Sequence, residues 1–237
     1  MRRAALAVLV LSLTAAVPGA QVSSAPADVL PASAVEALRA SLAAAAPHAR
    51  HLWRDTPPRA GDAVQAYIEI PLGDRRKWEF DMAAHARAVD RVMPAEVGPY
   101  PVNYGFVPQT IAWDGDPFDA LVLGPAVRGG TVVRGVVVGL MLMEDEKGID
   151  SKVVLSPVRA DGRPAHALSA DVRDRIAGYF RRYKLHEPGK FSRVPGWGSA
   201  EDGHRHVALT HTFFLRCRTS RQGAAGHEAC AVTMAVR

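Results

Sequence analysis

The sequence predicts an α+β domain with a barrel-like sheet, in which short strands come first and helices follow. A strand is indicated at 63–71, where β-branched and aromatic residues run up to a proline. The long β-branched run at 131–143 indicates one or two buried strands. A helix is predicted to begin at Ser169, because Val172 and Ile176 start an apolar face. The 237 residues, 48% hydrophobic and 22% charged, have the composition of a globular protein.

Residues 26–60 are interpreted as an Ala/Pro-rich leader whose short helix is an appendage to this domain. From Pro31 to Ala46 the chain is rich in alanine, and Val35, Leu38 and Leu42 recur at spacings of three and four, which predicts a short amphipathic helix. A double proline at the end of 48–58 predicts an extended, loop-like approach to the domain.

The remaining elements follow from shorter patterns. The helix from Ser169 is expected to carry Tyr183-Lys184 in its last turn and to end at Pro188-Gly189. A second helix at 199–216 is indicated only weakly, since glycine and threonine residues interrupt it. Further strands are predicted at 77–81, 89–93, 120–123 and 153–155.

The N-terminus has the pattern of a secretory signal peptide over residues 1–20. Arg2-Arg3 precede an apolar stretch from Ala4 to Val17, and cleavage is expected near Ala20 or Ala25. The stretch is too short to favour a transmembrane helix. The alternative is a hydrophobic helix that packs on the domain. We expect an exported protein, periplasmic or secreted, without a stable membrane anchor.

Charge and cysteine content restrict the partners and the compartment. Removal of Arg2 and Arg3 lowers the formal charge from +5 to +3, and the remaining cations are scattered, which argues against nucleic acid as a partner. In an oxidising compartment Cys217 and Cys230 could form a disulfide, and two buried thiols are the alternative. An apolar stretch at 229–236 is predicted to add a strand.

The most informative stretch is the acidic turn, Asp114 to Asp119, which places three carboxylates within six residues. Such a concentration of like charge needs cations, and carboxylate oxygens suit Mg²⁺ or Mn²⁺. Gly115 and Pro117 bend the chain, so the carboxylates can converge. A solvated loop is the alternative. A calcium hand is excluded because its sixth and twelfth positions would be occupied by an aspartate and a proline.

Two sets of polar residues interleave along the chain, one acidic and one cationic or phenolic. If both sets meet in one cleft, the acids can hold divalent ions while the cations and phenols bind a highly charged anion, as phosphoryl transfer to water requires. The acidic set is Glu69, Glu79, Asp114, Asp116, Asp119, Asp145 and Asp150, and the other set is Lys77, Arg91, Tyr104, Lys152, Tyr183 and Lys184. Taken singly, each residue could instead be a solvated charge.

The order and spacing of these motifs resemble those of the soluble family I inorganic pyrophosphatases over about residues 50–200. The acidic turn is similar to that family's DxDxxD signature. The other segments that carry the resemblance are Ile68–Pro71, Lys77–Asp81, Tyr100–Gly105, Asp145 with Asp150 and Lys152, and Tyr183-Lys184.

The resemblance implies a five-stranded OB-like β-barrel with flanking helices and a catalytic domain at 61–200. A C-terminal helix and cysteine-bearing tail are predicted at 201–237, and the tail, like the exported leader and the Ala-rich helix, is an addition that the usual cytoplasmic members lack. It implies Mg²⁺-dependent hydrolysis of diphosphate by a homo-oligomer, with Mn²⁺ or other divalent ions as possible substitutes. Asp116 resembles the residue that takes the proton from the attacking water. The implied metal ligands are Asp114, Asp119, Asp145 and Asp150, with Glu69 and Glu79 as outer acids; the implied phosphate ligands are Lys77, Arg91, Tyr104, Lys152, Tyr183 and Lys184.

Two other functions remain open from the sequence. Export would place the enzyme away from cytoplasmic sources of diphosphate, which leaves open a phosphatase that acts on organic diphosphates. A non-catalytic metal-binding or phosphate-binding relative is the second alternative. Asp116 beside a complete set of phosphate ligands argues against it.

Overall fold

A computed structural model describes residues 29–219, which form four helices and ten strands. The helices are α1 (Ala32–Ala45), α2 (Leu52–Asp55), α3 (Ala170–Arg182) and α4 (Ala200–Cys217). The strands are β1 (Arg59–Ala60), β2 (Ala63–Ile70), β3 (Arg76–Asp81), β4 (Ala86–Val92), β5 (Asn103–Phe106), β6 (Asp119–Val122), β7 (Val132–Asp145), β8 (Gly148–Ile149), β9 (Lys152–Pro157) and β10 (Ser192–Gly198).

Five strands close into a ring, which confirms the predicted barrel. The order is β2, β5, β6, β9 and β7, and β7 pairs again with β2 through Val64 and Gly135. All neighbours are antiparallel except β6 and β9, which are parallel. The run at 131–143 forms one strand, β7, whose register against β9 shifts between Val137 and Gly139. This irregularity bends β7, so one strand can pair with both β2 and β9.

Helix α4 forms in full although its sequence indicated a helix only weakly. Ser199 begins it with a capping box shared with Asp202. Gly203 is required for close packing, because a Cβ there would lie 2.6 Å from Val137 Cγ1 and 2.9 Å from the Gly139 carbonyl oxygen. The hydroxyl groups of Thr210 and Thr212 each donate a hydrogen bond to a backbone carbonyl one turn earlier in the helix. Tertiary packing against β7 therefore outweighs the low helix propensity of these residues.

Two sequence interpretations need correction. The helix α1 was expected to be an appendage, but Ala34, Val35 and Leu38 are fully buried in the same hydrophobic core as the barrel strands and α4. The helix α3 ends at Arg182, before Pro188-Gly189, and Tyr183 is its C-cap residue. Hence Tyr183-Lys184 follows the helix rather than forming its last turn.

Several predictions fall outside residues 29–219. These are the signal peptide, the strand at 229–236 and the position of Cys230. Cys217 is buried at the end of α4, and its pairing with Cys230 stays a prediction. In the described part of the chain, no helix is long and apolar enough to cross a membrane.

Candidate active site

One open cavity with a volume of about 460 Å³ brings both sets of polar residues together. It lies at one edge of the barrel, between the strand ends, the β3–β4 hairpin and the loop after α3. All thirteen candidate residues line it: Glu69, Lys77, Glu79, Arg91, Tyr104, Asp114, Asp116, Asp119, Asp145, Asp150, Lys152, Tyr183 and Lys184.

The strand pairing explains why residues distant in sequence meet here. Because β6 and β9 run parallel, their first residues, Asp119 and Lys152, start at the same edge of the barrel. The strand β7 runs antiparallel to β9, so its last residue, Asp145, ends at that edge as well. Three charged residues from separate parts of the chain are therefore placed side by side by the barrel.

Lys152 lies at the centre of the carboxylates. Its Nζ atom is 2.5 Å from Asp119 Oδ2 and 2.8 Å from Asp150 Oδ1, and its side chain is 2% exposed. Burial opposes the ammonium charge, but Asp119 and Asp150 hold the pKa of Lys152 above its ordinary value. The ammonium group also faces the rings of Tyr104 and Phe180 at 5.6 and 5.7 Å. The two carboxylates and the two aromatic rings therefore keep the buried lysine charged.

Burial and like charge raise the pKa of three cavity carboxyls, Glu69, Asp114 and Asp150. Burial is the main cause that raises the pKa of Asp150 to about 7, and the charge of Asp119 adds to it. The nearby Lys152 ammonium opposes this shift. Burial together with Asp116 and Asp150 raises the pKa of Asp114 to about 8. Burial is thus the largest cause of the raised pKa values of Asp114 and Asp150, and the like charge of neighbouring carboxylates adds to it.

The loop after α3 supplies a second cation. Lys184 Nζ is 2.6 Å from Asp145 Oδ2 and 2.9 Å from Glu146 Oε1. Tyr183 lies beside it and shares a hydrogen bond of 3.2 Å with the Tyr100 hydroxyl. Since α3 ends just before this pair, both side chains can turn toward the barrel edge.

The β3–β4 hairpin forms a separate two-stranded sheet over the cavity. Lys77 pairs with Glu79 and lies 3.4 Å from Asp90 Oδ2. Arg91 Nη2 is held 3.1 Å from Glu187 Oε1. Asp81 shares the face of Lys77 and Glu79 by sequence, but it is not among the cavity residues. Its Oδ1 instead accepts hydrogen bonds from two backbone N–H groups in the hairpin turn.

Glu69 points into the protein rather than to solvent. It is 8% exposed, and its Oε1 accepts a hydrogen bond of 2.7 Å from the Phe80 N–H. Burial, followed by the charge of Asp119, raises the pKa of Glu69 to about 8. The sequence left its orientation open, and the structure assigns it to the cavity.

Asp116 is the most accessible carboxylate of the acidic turn, with 66% of its side chain exposed. Its backbone N–H donates to Asp114 Oδ1 at 3.1 Å, which closes the turn. Lys147 Nζ is 3.5 Å from its Oδ2 atom. Asp116 can therefore reach a molecule in the cavity while its backbone is held by its neighbour.

The donor set fits hard divalent cations, because it consists of carboxylate oxygens. Among residues 29–219, no three His, Cys, Asp or Glu side chains already enclose a metal position. Lys152 and Lys184 instead lie between the carboxylates. Divalent ions bound among these carboxylates would offset the like charge that contributes to the raised pKa of Asp114 and of Asp150.

Some cavity residues escaped the sequence analysis. Glu146 and Lys147 lie in the turn between β7 and β8, so their position in the sequence directly after Asp145 could have identified them. Ser41 comes from α1, and only the packing of that helix places it at the cavity. The remaining polar cavity residue is Lys190.

Comparison with known proteins agrees with this arrangement. A family model described as inorganic pyrophosphatase matches residues 66–214. The inorganic pyrophosphatase of Saccharolobus solfataricus is 38% identical over 157 residues, 63% of this chain and 90% of that protein. The one from Aeropyrum pernix is 43% identical over 151 residues, 60% of this chain and 85% of that protein.

Solved structures show the same similarity. The inorganic pyrophosphatase of Thermus thermophilus superposes with a TM-score of 0.64 at 35% identity, covering 70% of this chain and 99% of that chain. The one from Coxiella burnetii gives 0.62 at 39% identity, covering 67% of this chain and 99% of that chain. Because the family match spans more than half of the 237 residues, the chain belongs to the family I inorganic pyrophosphatases, which depend on divalent metal ions.

Proposed function

We propose that this protein hydrolyses inorganic diphosphate to two orthophosphate ions with Mg²⁺ as its cofactor, and that Mn²⁺ or another divalent ion can substitute. The observation that carries the proposal is the convergence of seven carboxylates with cationic and phenolic side chains in one cavity of a chain from this family. The first set suits metal ions and the second suits phosphate oxygens.

The division of the carboxylates into metal ligands and outer acids follows their match to the family's motifs. Asp114, Asp119, Asp145 and Asp150 are proposed as metal ligands, with Glu69 and Glu79 as outer acids that act directly or through water. When bound, divalent ions neutralise phosphate charge and make a coordinated water more acidic. The lysine contacts would rearrange on binding, which frees Lys152 and Lys184 to approach phosphate oxygens.

The proposed reaction is the attack of water on one phosphorus atom. The water oxygen forms a new bond to phosphorus while the bridging P–O bond breaks, and the second phosphate leaves. Asp116 accepts the proton that the water loses, as its exposed carboxylate allows. Lys77, Arg91, Tyr104, Lys152, Tyr183 and Lys184 hold the phosphate oxygens and stabilise the leaving phosphate.

The proposal is tested by steady-state turnover of diphosphate by the purified protein with Mg²⁺. Addition of excess chelator should lower turnover about 10²-fold or more, because metal ions contribute several kcal/mol to such reactions. Restored Mg²⁺ should recover the activity. Organic diphosphates hydrolysed as fast as diphosphate would favour the broader phosphatase, and Mg²⁺ binding without turnover would favour a binding protein.

We also propose that the protein is exported. The basis is the sequence pattern of Arg2-Arg3 followed by the apolar stretch from Ala4 to Val17. Cell fractionation should find the protein outside the cytosol, and N-terminal sequencing should give a start near residue 21 or 26. A protein that begins at Met1 in the cytosol would contradict export.

A further inference from the structure

Helix α1 lies outside the segment matched by the family, yet it reaches the acidic turn. The match begins at residue 66, and α1 covers Ala32–Ala45. Gly115, between Asp114 and Asp116, is buried, and a Cβ built on it would lie 2.7 Å from Ala37 Cβ. Ser41, one turn further along the helix, lines the cavity. The helix therefore contacts the turn that carries three of the candidate carboxylates.

This contact is rigid on the helix side. Leu30, Ala34, Val35 and Leu38 are at most 1% exposed and belong to one core cluster with Phe118 of the acidic turn. Because protein cores are close-packed, a helix held by three buried side chains, with Leu30 buried just before its start, resists displacement. Ala37 is thus presented to the turn from a fixed position.

Hydrogen bonds hold the turn at its two ends and also at Gly115, whose N–H donates to the Ala112 carbonyl at 3.2 Å. At one end the Ala112 N–H donates to the Asp116 carbonyl at 2.8 Å, and at the other the Phe118 N–H donates to Thr110 Oγ1 at 2.9 Å. Gly115 lies at the tip with φ +91°, a backbone conformation that glycine adopts readily and that strains other residues. The packing of Ala37 on this tip limits how far it can shift.

We propose that α1 is a positioning element of the active site, in which contact between Ala37 and Gly115 sets the placement of Asp114 and Asp116. The proposal rests on the proposed function for its kinetic consequence. Small displacements matter, since misplacing a reacting group by 1 Å can cost about 10²-fold in rate. The phosphate-binding cations come from β3, β4, β9 and the loop after α3, so none of them lies on α1 or on the acidic turn.

The test uses the full-length chain with two matched pairs of substitutions. Ala37→Leu adds bulk against Gly115, and Ala40→Leu adds the same bulk at an exposed position of the same helix. Ala37→Gly removes the methyl group that contacts Gly115. Ala40→Gly lowers helix propensity by the same amount but leaves that contact intact. Each variant is measured for kcat and KM with diphosphate, for Mn²⁺ binding by electron paramagnetic resonance without substrate, and for thermal unfolding.

Ala37→Leu should lower kcat about 10-fold or more relative to Ala40→Leu, with KM within about threefold and weaker Mn²⁺ binding. Ala37→Gly should show the same changes to a smaller degree relative to Ala40→Gly. Equal kcat and equal Mn²⁺ binding within each pair would overturn the proposal. If Ala37→Leu fails to fold, the glycine pair decides alone. Wild-type protein without turnover would refute the proposed function, and Mn²⁺ binding would still test the role of α1.

Discussion

Replacing Asp116 with asparagine is expected to lower kcat about 10² to 10⁴-fold, the typical cost of losing a general base. Asparagine has nearly the same shape, but its amide cannot accept the proton from the attacking water. Because Asp116 is exposed at the cavity, the substitution leaves the core unchanged and folding should be preserved. Steady-state kinetics at saturating Mg²⁺ would measure kcat and KM, and thermal unfolding would check the fold.

Two control variants separate the loss of the proton acceptor from a general loss of charge and from a loss of substrate binding. Asp174→Asn removes the same charge from an exposed position on α3, away from the cavity, and should leave kcat unchanged. Lys184→Ala removes a proposed phosphate ligand and should act mainly on substrate binding, although KM understates that loss if chemistry is fast. An Asp116→Asn enzyme with near-normal kcat would refute the assignment of Asp116 as base.

Replacing Gly105 with alanine is expected to lower the free energy of unfolding by about 3 kcal/mol, the upper part of the usual range for overpacking. Gly105 lies in β5, between Ile68 of β2 and Ala120 of β6. An added Cβ would stand 1.8 Å from the Tyr67 carbonyl oxygen, so the β2 backbone would have to move. Two strands of the closed ring would be displaced together. Urea unfolding of the two proteins measures the loss.

Gly196→Ala is the matched control for this prediction. Gly196 also lies in a strand, β10, and no atom stands within 4 Å of an added Cβ. Its unfolding free energy should change by less than about 1 kcal/mol, since the methyl group meets open space. If Gly105→Ala were as stable as Gly196→Ala, the close approach between β2 and β5 would not need glycine.

The sequence predicted the main features of the fold because they are local. β-Branched runs bounded by turns are sufficient to indicate β2 and β7, and an apolar face with Ser169 as its N-cap indicates α3. The same reasoning was less reliable for α4. There Gly203 reads as a helix breaker, but in the folded protein it allows the helix to approach β7.

The candidate residues were predicted by a combination of chemistry and family resemblance. Carboxylates spaced along the chain next to predicted strands indicated a metal-binding set, and the order of the motifs indicated which cations belong with them. The sequence could not show that Lys152 lies between Asp119 and Asp150, or that Glu187 holds Arg91. Those contacts depend on strand pairing and on the path of the loop after α3.

The sequence by itself determined the kind of chemistry, since residue types and their order specify which oxygens can bind metal ions and which cations can bind phosphate. The tertiary structure alone decided that Glu69 is buried, that Gly105 must lack a side chain and that α1 packs against Gly115. The physical reason is that local patterns depend on neighbours in the chain. Burial and close contact arise only when β2, β5, α1 and the acidic turn, which are separated in sequence, share one core.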